Sequence, residues 1–433
     1  MSKKNGGVQE TLKKYLVPIA EKVEKQIHLQ AVKEGMMSIV PIFIVGSLSL
    51  LFIALKNMLP NGAVKDFIGN NLGVFMFPFN FTMGIISLYA AFFIALSLAR
   101  KYKLNATEVA ITSVIIQFIL CAEVADGAIK TGYLDAQGLF VSIIVGLLVV
   151  EITRFMNEKN LVFKLPKEVP SIVSKSFNNL LPMIVCIILF TTFSVIIRNT
   201  TGQPFPKLVM NILAPAISSL DSVTAVIIIL LITQLLWFFG LHGAAITSSI
   251  WMPIAANYMA ENATRIAAGQ DPIHIFTIGF YYSFLQVTGS GITLGLVLLM
   301  MKSRSKSLKS MGKVAIVPSI FGINEPVIFG TPIVMNPFMF IPFVFGPVIV
   351  GIMDFLAFSS GLIGKPTMEP PGFMPPGVGA FLLTLDWKAV VVVFLNIFIM
   401  TAIYYPFFKM MEKEELQKEK EVVESAINDD FDF

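Results

Sequence analysis

Two uninterrupted apolar runs, "VTAVIIILLITQLLWFFGL" from residue 223 and "AVVVVFLNIFIMTAIYYPFF" from residue 389, limit this chain to very few architectures. About 20 apolar residues of helix cross the hydrocarbon core of a bilayer. Runs of 18 or more apolar residues are therefore membrane-helix candidates. Over 433 residues the chain is 55% hydrophobic and 14% charged, against roughly 45–50% and about 25% for soluble domains. The expected fold class is an all-α polytopic membrane protein.

Ten spans are expected, near 34–56, 74–98, 106–124, 138–157, 178–198, 223–241, 244–260, 273–301, 333–354 and 387–408. Segments 1–35, 99–105, 154–177, 302–313 and 409–433 hold 24 of the 32 Lys and Arg. Cytoplasmic loops carry the positive charge, so both termini are expected inside a cytoplasmic membrane, which requires an even number of spans. Residues 1–33 read as an amphipathic leader at the cytoplasmic face, or equally as a solvated helix. They lack the compact apolar core of a signal peptide. The charged tail 409–433 reads as a solvated helix followed by disorder.

Two stretches suit neither spans nor loops. "VAIVPSIFGINEPVIFGTP" (314–332) is apolar yet broken by glycine and proline, and 358–381 is rich in both but nearly uncharged. Irregular backbone at membrane depth survives only when buried in protein or lining a cavity. Both are expected as re-entrant hairpins, the first from the cytoplasm and the second from outside. An ordinary outer loop is the alternative for the second. Residues 34–200 then form an N-terminal five-helix domain, 201–222 an amphipathic connector, and 223–408 a C-terminal domain holding both hairpins.

Glu325 carries the chemistry in this reading. A carboxylate at membrane depth usually faces a cavity or a partner, and Pro326 biases it toward an extended path. With Asn324 it offers the donors and acceptors that suit a polyhydroxylated ligand. The structural alternative is a carboxylate satisfied by neighbouring amides. "WFFGLHG" supplies Trp237, able to stack on a sugar ring, and His242, able to hydrogen-bond a hydroxyl, between helix-breaking Gly240 and Gly243. Alone, each would read as a packing or interfacial residue. Gly289, Ser290 and Gly291 mark either close helix packing or a broken helix whose amides face the ligand. Asn80 is a further polar residue on a span, with the same ambiguity. Asp354 and Glu151 are expected to snorkel from span ends, and His28 and His274 to be interfacial. Cys121 and Cys186 read as packing residues. No phosphate-cradling loop, metal-spaced His/Cys set or serine-hydrolase elbow is present, so no cofactor or metal is expected. The modest charge of +4 gives no reason to expect a nucleic-acid partner.

"GINEPVIFGTP" together with the upstream "WFFGLHG" resembles the enzyme IIC component of the bacterial phosphotransferase system, in the lactose/cellobiose/chitobiose family. The resemblance extends over nearly the whole chain. It implies a sugar permease that binds a β-linked disaccharide and dimerises through its N-terminal domain. It also implies that the sugar is phosphorylated from a cysteine of the separate partner IIB, itself served by IIA. By the same resemblance Glu325 and His242 contact the acceptor sugar as the catalytic pair, Asn324 supports them and Trp237 lines the cavity. Members often carry a Trp in the second hairpin; here Gly372 and Phe373 stand there. Either Phe373 replaces the stacking group or another sugar is preferred. Two rival classes stay open. An ion-coupled secondary transporter also uses broken helices at the midplane. A membrane glycosyl-transfer enzyme would need an acid pair, for which only Glu325 is apparent.

Overall fold

The computed structural model describes residues 18, 22, 25–125, 127–163, 179–331, 333–372 and 374–430. Leaving aside Ala63–Asn70 and several single turns, fourteen helices organise them: α1 Ile27–Met58, α2 Ile86–Lys101, α3 Ala106–Cys121, α4 Leu139–Glu158, α5 Leu180–Thr201, α6 Phe205–Leu220 and α7 Val223–Phe238. The series continues with α8 Gly243–Ala267, α9 Leu294–Met301, α10 Lys306–Ile320, α11 Glu325–Gly330, α12 Pro337–Ser359, α13 Val378–Thr384 and α14 Trp387–Asp430. Short helical turns lead into α2, so its apolar segment runs from Phe77 to Lys101. A two-stranded hairpin, β1 Glu123–Ala125 with β2 Ala128–Lys130, follows α3 and has no counterpart in the sequence reading.

Six helical segments among the described residues are long and apolar enough to cross a membrane, and α3 and α7 are shorter apolar helices. The protein is an all-α polytopic membrane protein. In the first half, α2 is the central helix, packed by α1, α3 and α4. Small residues permit the close approach: a Cβ on Gly35 of α1 would lie 2.4 Å from Ile94, and one on Gly146 of α4 2.9 Å from it. In the second half α12 packs on α7 and α14, while α9 packs on α10 and α14. The contact of α8 with α1 joins the halves.

Three expectations need correction. The span expected over 273–301 is not continuous: a helical turn at Ile278–Phe280 and a wide turn at Tyr281–Leu285 precede an irregular stretch, and only then does α9 begin. Gly289 and Gly291 have φ of +94° and +86° there, alongside Thr288 at +63° and Ile292 at +51°. Positive φ is costly for β-branched residues, so the chain is held open against its own preference. Residues 27–33, placed in the leader, belong to the first long helix; the leader before them lies almost wholly outside the described residues. Asp354 does not snorkel. It is fully buried, accepting a hydrogen bond from Asn396 Nδ2 of α14 at 2.7 Å.

Candidate functional site

The breaks in the second half meet around one cavity of about 380 Å³, within the range of small-molecule sites. Helix α11 begins at Glu325, with Pro326 in its first turn, where a missing N–H costs nothing. Glu325 therefore opens a short helix rather than the extended path expected of a residue before proline. Behind it, buried Asn324 donates from Nδ2 to Thr293 Oγ1 at 3.1 Å and to Ser290 O. That amide closes the hairpin onto the broken stretch. A Cβ at Gly289 would lie 2.4 Å from Asn324 Cγ, so only glycine fits there.

His242 caps the N-terminus of α8, its Nδ1 accepting from Ala245 N at 3.1 Å. An Nδ1 engaged as acceptor leaves the proton of the neutral ring on Nε2, and Nε2 lies 3.6 Å from Glu325 Oε1. Trp237, buried at the end of α7, packs against this imidazole with ring centroids 4.3 Å apart. Gly243 is what brings the cap so close: a Cβ there would meet Thr233 O at 2.1 Å. Next to the cap, Lys33 of α1 donates to Ala245 O at 3.2 Å, tying the two halves together at the cavity.

Trp237, His242, Gly289, Ser290, Asn324 and Glu325 all line the cavity. Gly291 does not: it is pressed against Phe343, and its carbonyl accepts from Tyr404 Oη at 2.8 Å. Asn80 is exposed on the short turn before α2, away from the cavity. Phe373 lies outside the described residues. The sequence reading missed Lys33, Tyr282, Gln286 and Glu369, which also line the cavity. Glu369 corrects the expectation of a single carboxylate there. Its signal was close to the one that exposed Glu325, an acid in a Gly- and Pro-rich stretch whose other charge is Lys365.

Three buried polar atoms on the lining residues have no hydrogen-bond partner among the described residues: Trp237 Nε1, Gln286 Nε2 and Glu325 Oε2. Buried polar groups are nearly always paired. These three lie within the wall rather than on its surface, so they are unpaired groups of the lining and not contacts presented to a ligand. No group of His, Cys, Asp and Glu able to hold a metal occurs among the described residues.

Residues 33–347 match the family described as "Phosphotransferase system, EIIC". The lichenan permease IIC component of Bacillus subtilis (strain 168) is 34% identical, the alignment covering 96% of each chain. The cellobiose-specific EIIC component of Geobacillus stearothermophilus is also 34% identical, over 94% of each. The crystal structure of the transporter ChbC, the IIC component of the N,N'-diacetylchitobiose-specific phosphotransferase system, superposes with a TM-score of 0.87 at 31% identity. That match covers 95% of this chain and 99% of the other. With the matched family spanning most of the sequence and the relatives aligned over nearly all of it, this chain belongs to the EIIC family of membrane permeases of the phosphotransferase system.

Proposed function

We propose that this permease binds a β-linked disaccharide of the cellobiose, diacetylchitobiose or lactose type and presents it for phosphorylation by phosphorylated IIB, which IIA recharges. The observation that carries the proposal is the arrangement around Glu325. The His242 Nε2–H and the Glu325 carboxylate stand 3.6 Å apart at the cavity wall. A sugar hydroxyl entering between them donates to the carboxylate and accepts from the imidazole. Trp237 backs the pair with an apolar face, and Asn324 fixes the hairpin from behind. The phosphoryl group comes from the cysteine of IIB. The role of Glu325 and His242 is to hold the acceptor hydroxyl.

The same reading places both termini in the cytoplasm, because the Lys and Arg bias favours that side. It treats 34–200 as a scaffold and 223–408 as the sugar-carrying domain, with 201–222 as the connector. Helix α5 supports a homodimer through the scaffold: its side chains Ile184, Ile188, Leu189, Phe193, Val195 and Ile196 face outward.

The direct test is a binding panel of cellobiose, lactose and N,N'-diacetylchitobiose with purified protein and the Glu325→Gln variant. Hydrogen bonds to charged groups contribute roughly 1.5–3 kcal/mol, so the variant loses on the order of 10–100-fold in affinity while remaining folded. Unchanged binding by a folded variant removes Glu325 from the site.

A further inference from the structure

The second hairpin brings another carboxylate to the cavity, at a different point on its wall. Glu369, 3% exposed, lies between α12 and α13 and lines the cavity beside Pro370, Pro371 and Gly372. Its Oε2 accepts from Gly279 N at 3.2 Å. The junction is tight, since a Cβ on Gly279 would lie 2.5 Å from Leu383 and 2.9 Å from Pro370. No Lys, Arg or His pairs with this carboxylate among the described residues, and its Oε1 has no hydrogen-bond partner among them. A buried carboxylate in that condition is unfavourable unless donors reach it.

Gly279 opens the broken stretch that Asn324 grips at its far end, at Ser290 and Thr293. Gly279 and Gly289 both line the cavity, ten residues apart in the chain. The wall therefore carries Glu369 against the start of this stretch and the Asn324–Glu325 segment against its end. Gln286, with its unpartnered Nε2, lies between them in the chain. Beside Glu369, a Cβ on Gly372 would meet nothing within 4 Å, so the space around this end is open.

We infer that Glu369 is a specificity-determining residue of the permease. Its carboxylate accepts hydrogen bonds from hydroxyls of the sugar ring that lies away from the His242–Glu325 pair. This rests on the reading of the cavity as the sugar site. Two carboxylates on one cavity lining, carried by separate segments of the chain, favour a ligand with two hydroxylated rings, each ring supplying donors to one acid.

Glu369→Gln separates a ligand contact from a structural one, because its amide oxygen still accepts from Gly279 N while the charge is lost. Glu369→Asp keeps the charge but withdraws it by one methylene. Titration calorimetry with cellobiose, lactose and N,N'-diacetylchitobiose, alongside thermal unfolding in the same detergent, reads both. The expected result is a loss of about tenfold or more in affinity for the sugar that wild type binds, in Glu369→Gln or in Glu369→Asp, at an unchanged unfolding midpoint. Wild-type affinity in both folded variants, with loss only in Glu369→Ala, makes the residue a brace for Gly279 and overturns the inference. If wild-type protein binds none of the three sugars, the sugar-site reading itself falls, and this inference with it.

Discussion

His274 shows how far a residue's role depends on what folds around it. The sequence suggests an interfacial histidine. In the structure it stacks on Tyr258 with centroids 4.0 Å apart, Nδ1 lying 3.3 Å from Asp221 and Nε2 3.0 Å from Glu261. Asp221 also accepts from the backbone amides of Ile275 and Phe276. The cluster thus ties the end of α6 to the end of α8 and to the loop before the broken stretch. Burial of the ring works against its charge, but the hydrogen bonds to Asp221 and Glu261 outweigh this and raise its pKa above the ordinary value. A raised folded-state pKa contributes stability that is complete below the unfolded value, about 6.5, and is lost as pH rises through the folded value. Thermal midpoints in detergent are therefore expected to decline with rising pH above about 6.5. His274→Phe, which preserves the stack on Tyr258, flattens that profile. An identical slope in the variant would assign the dependence to other groups.

At the scale of elements, the breaks matter more than the helices. Gly289→Ala places a methyl 2.4 Å from Asn324 Cγ at a φ of +94°, so it displaces the amide that closes the first hairpin. Sugar affinity is expected to fall at least tenfold and the unfolding midpoint to drop, both read in one detergent-solubilised preparation. Gly372→Ala, at an open position, serves as the control that leaves the midpoint alone. The apolar spans could be read from the sequence because hydropathy alone specifies them. Glu325, Asn324 and His242 stand out as candidates because each is polar in an apolar context, and Trp237 only through its company with His242. In the sequence the break at 286–293 is only one of two readings of Gly289, Ser290 and Gly291, beside close helix packing, since apolar composition continues across it and tertiary contact from Asn324 fixes the positive-φ turn. Gly291 and Ser290 adjoin in sequence yet face different neighbours, which spacing does not reveal in an irregular backbone. The basic segment 302–313 also gains a partner invisible in sequence. Glu412 accepts from Ser303 Oγ and Arg304 N, and Glu419 accepts from Ser305 Oγ and Ser307 N. Helix α14 thereby caps the start of α10.

The whole molecule is two helical groups joined where α8 meets α1, with the cavity near that junction. Lys33 of α1 bonds the first turn of α8, so movement of the second half relative to the first must break or carry that contact. The outward apolar face of α5 is available to lipid or to a second copy. The homodimer proposal expects twice the chain mass in mild detergent, and replacement of Ile188 and Val195, both exposed on α5, by Asn to shift the species toward monomer. A monomer at high protein concentration in wild type would remove the dimer from the account.

The central claim is that sugar moves through this cavity to be phosphorylated from IIB, and vesicle uptake tests it most directly. Protein is reconstituted with phosphorylated IIB enclosed and a radiolabelled disaccharide outside, with and without ionophores. Sugar phosphate is expected to accumulate inside, dependent on phosphorylated IIB, reduced by Glu325→Gln at sugar concentrations that do not saturate the wild type, and indifferent to ionophores. Accumulation of unmodified sugar that needs no IIB and collapses with the ion gradient would contradict it.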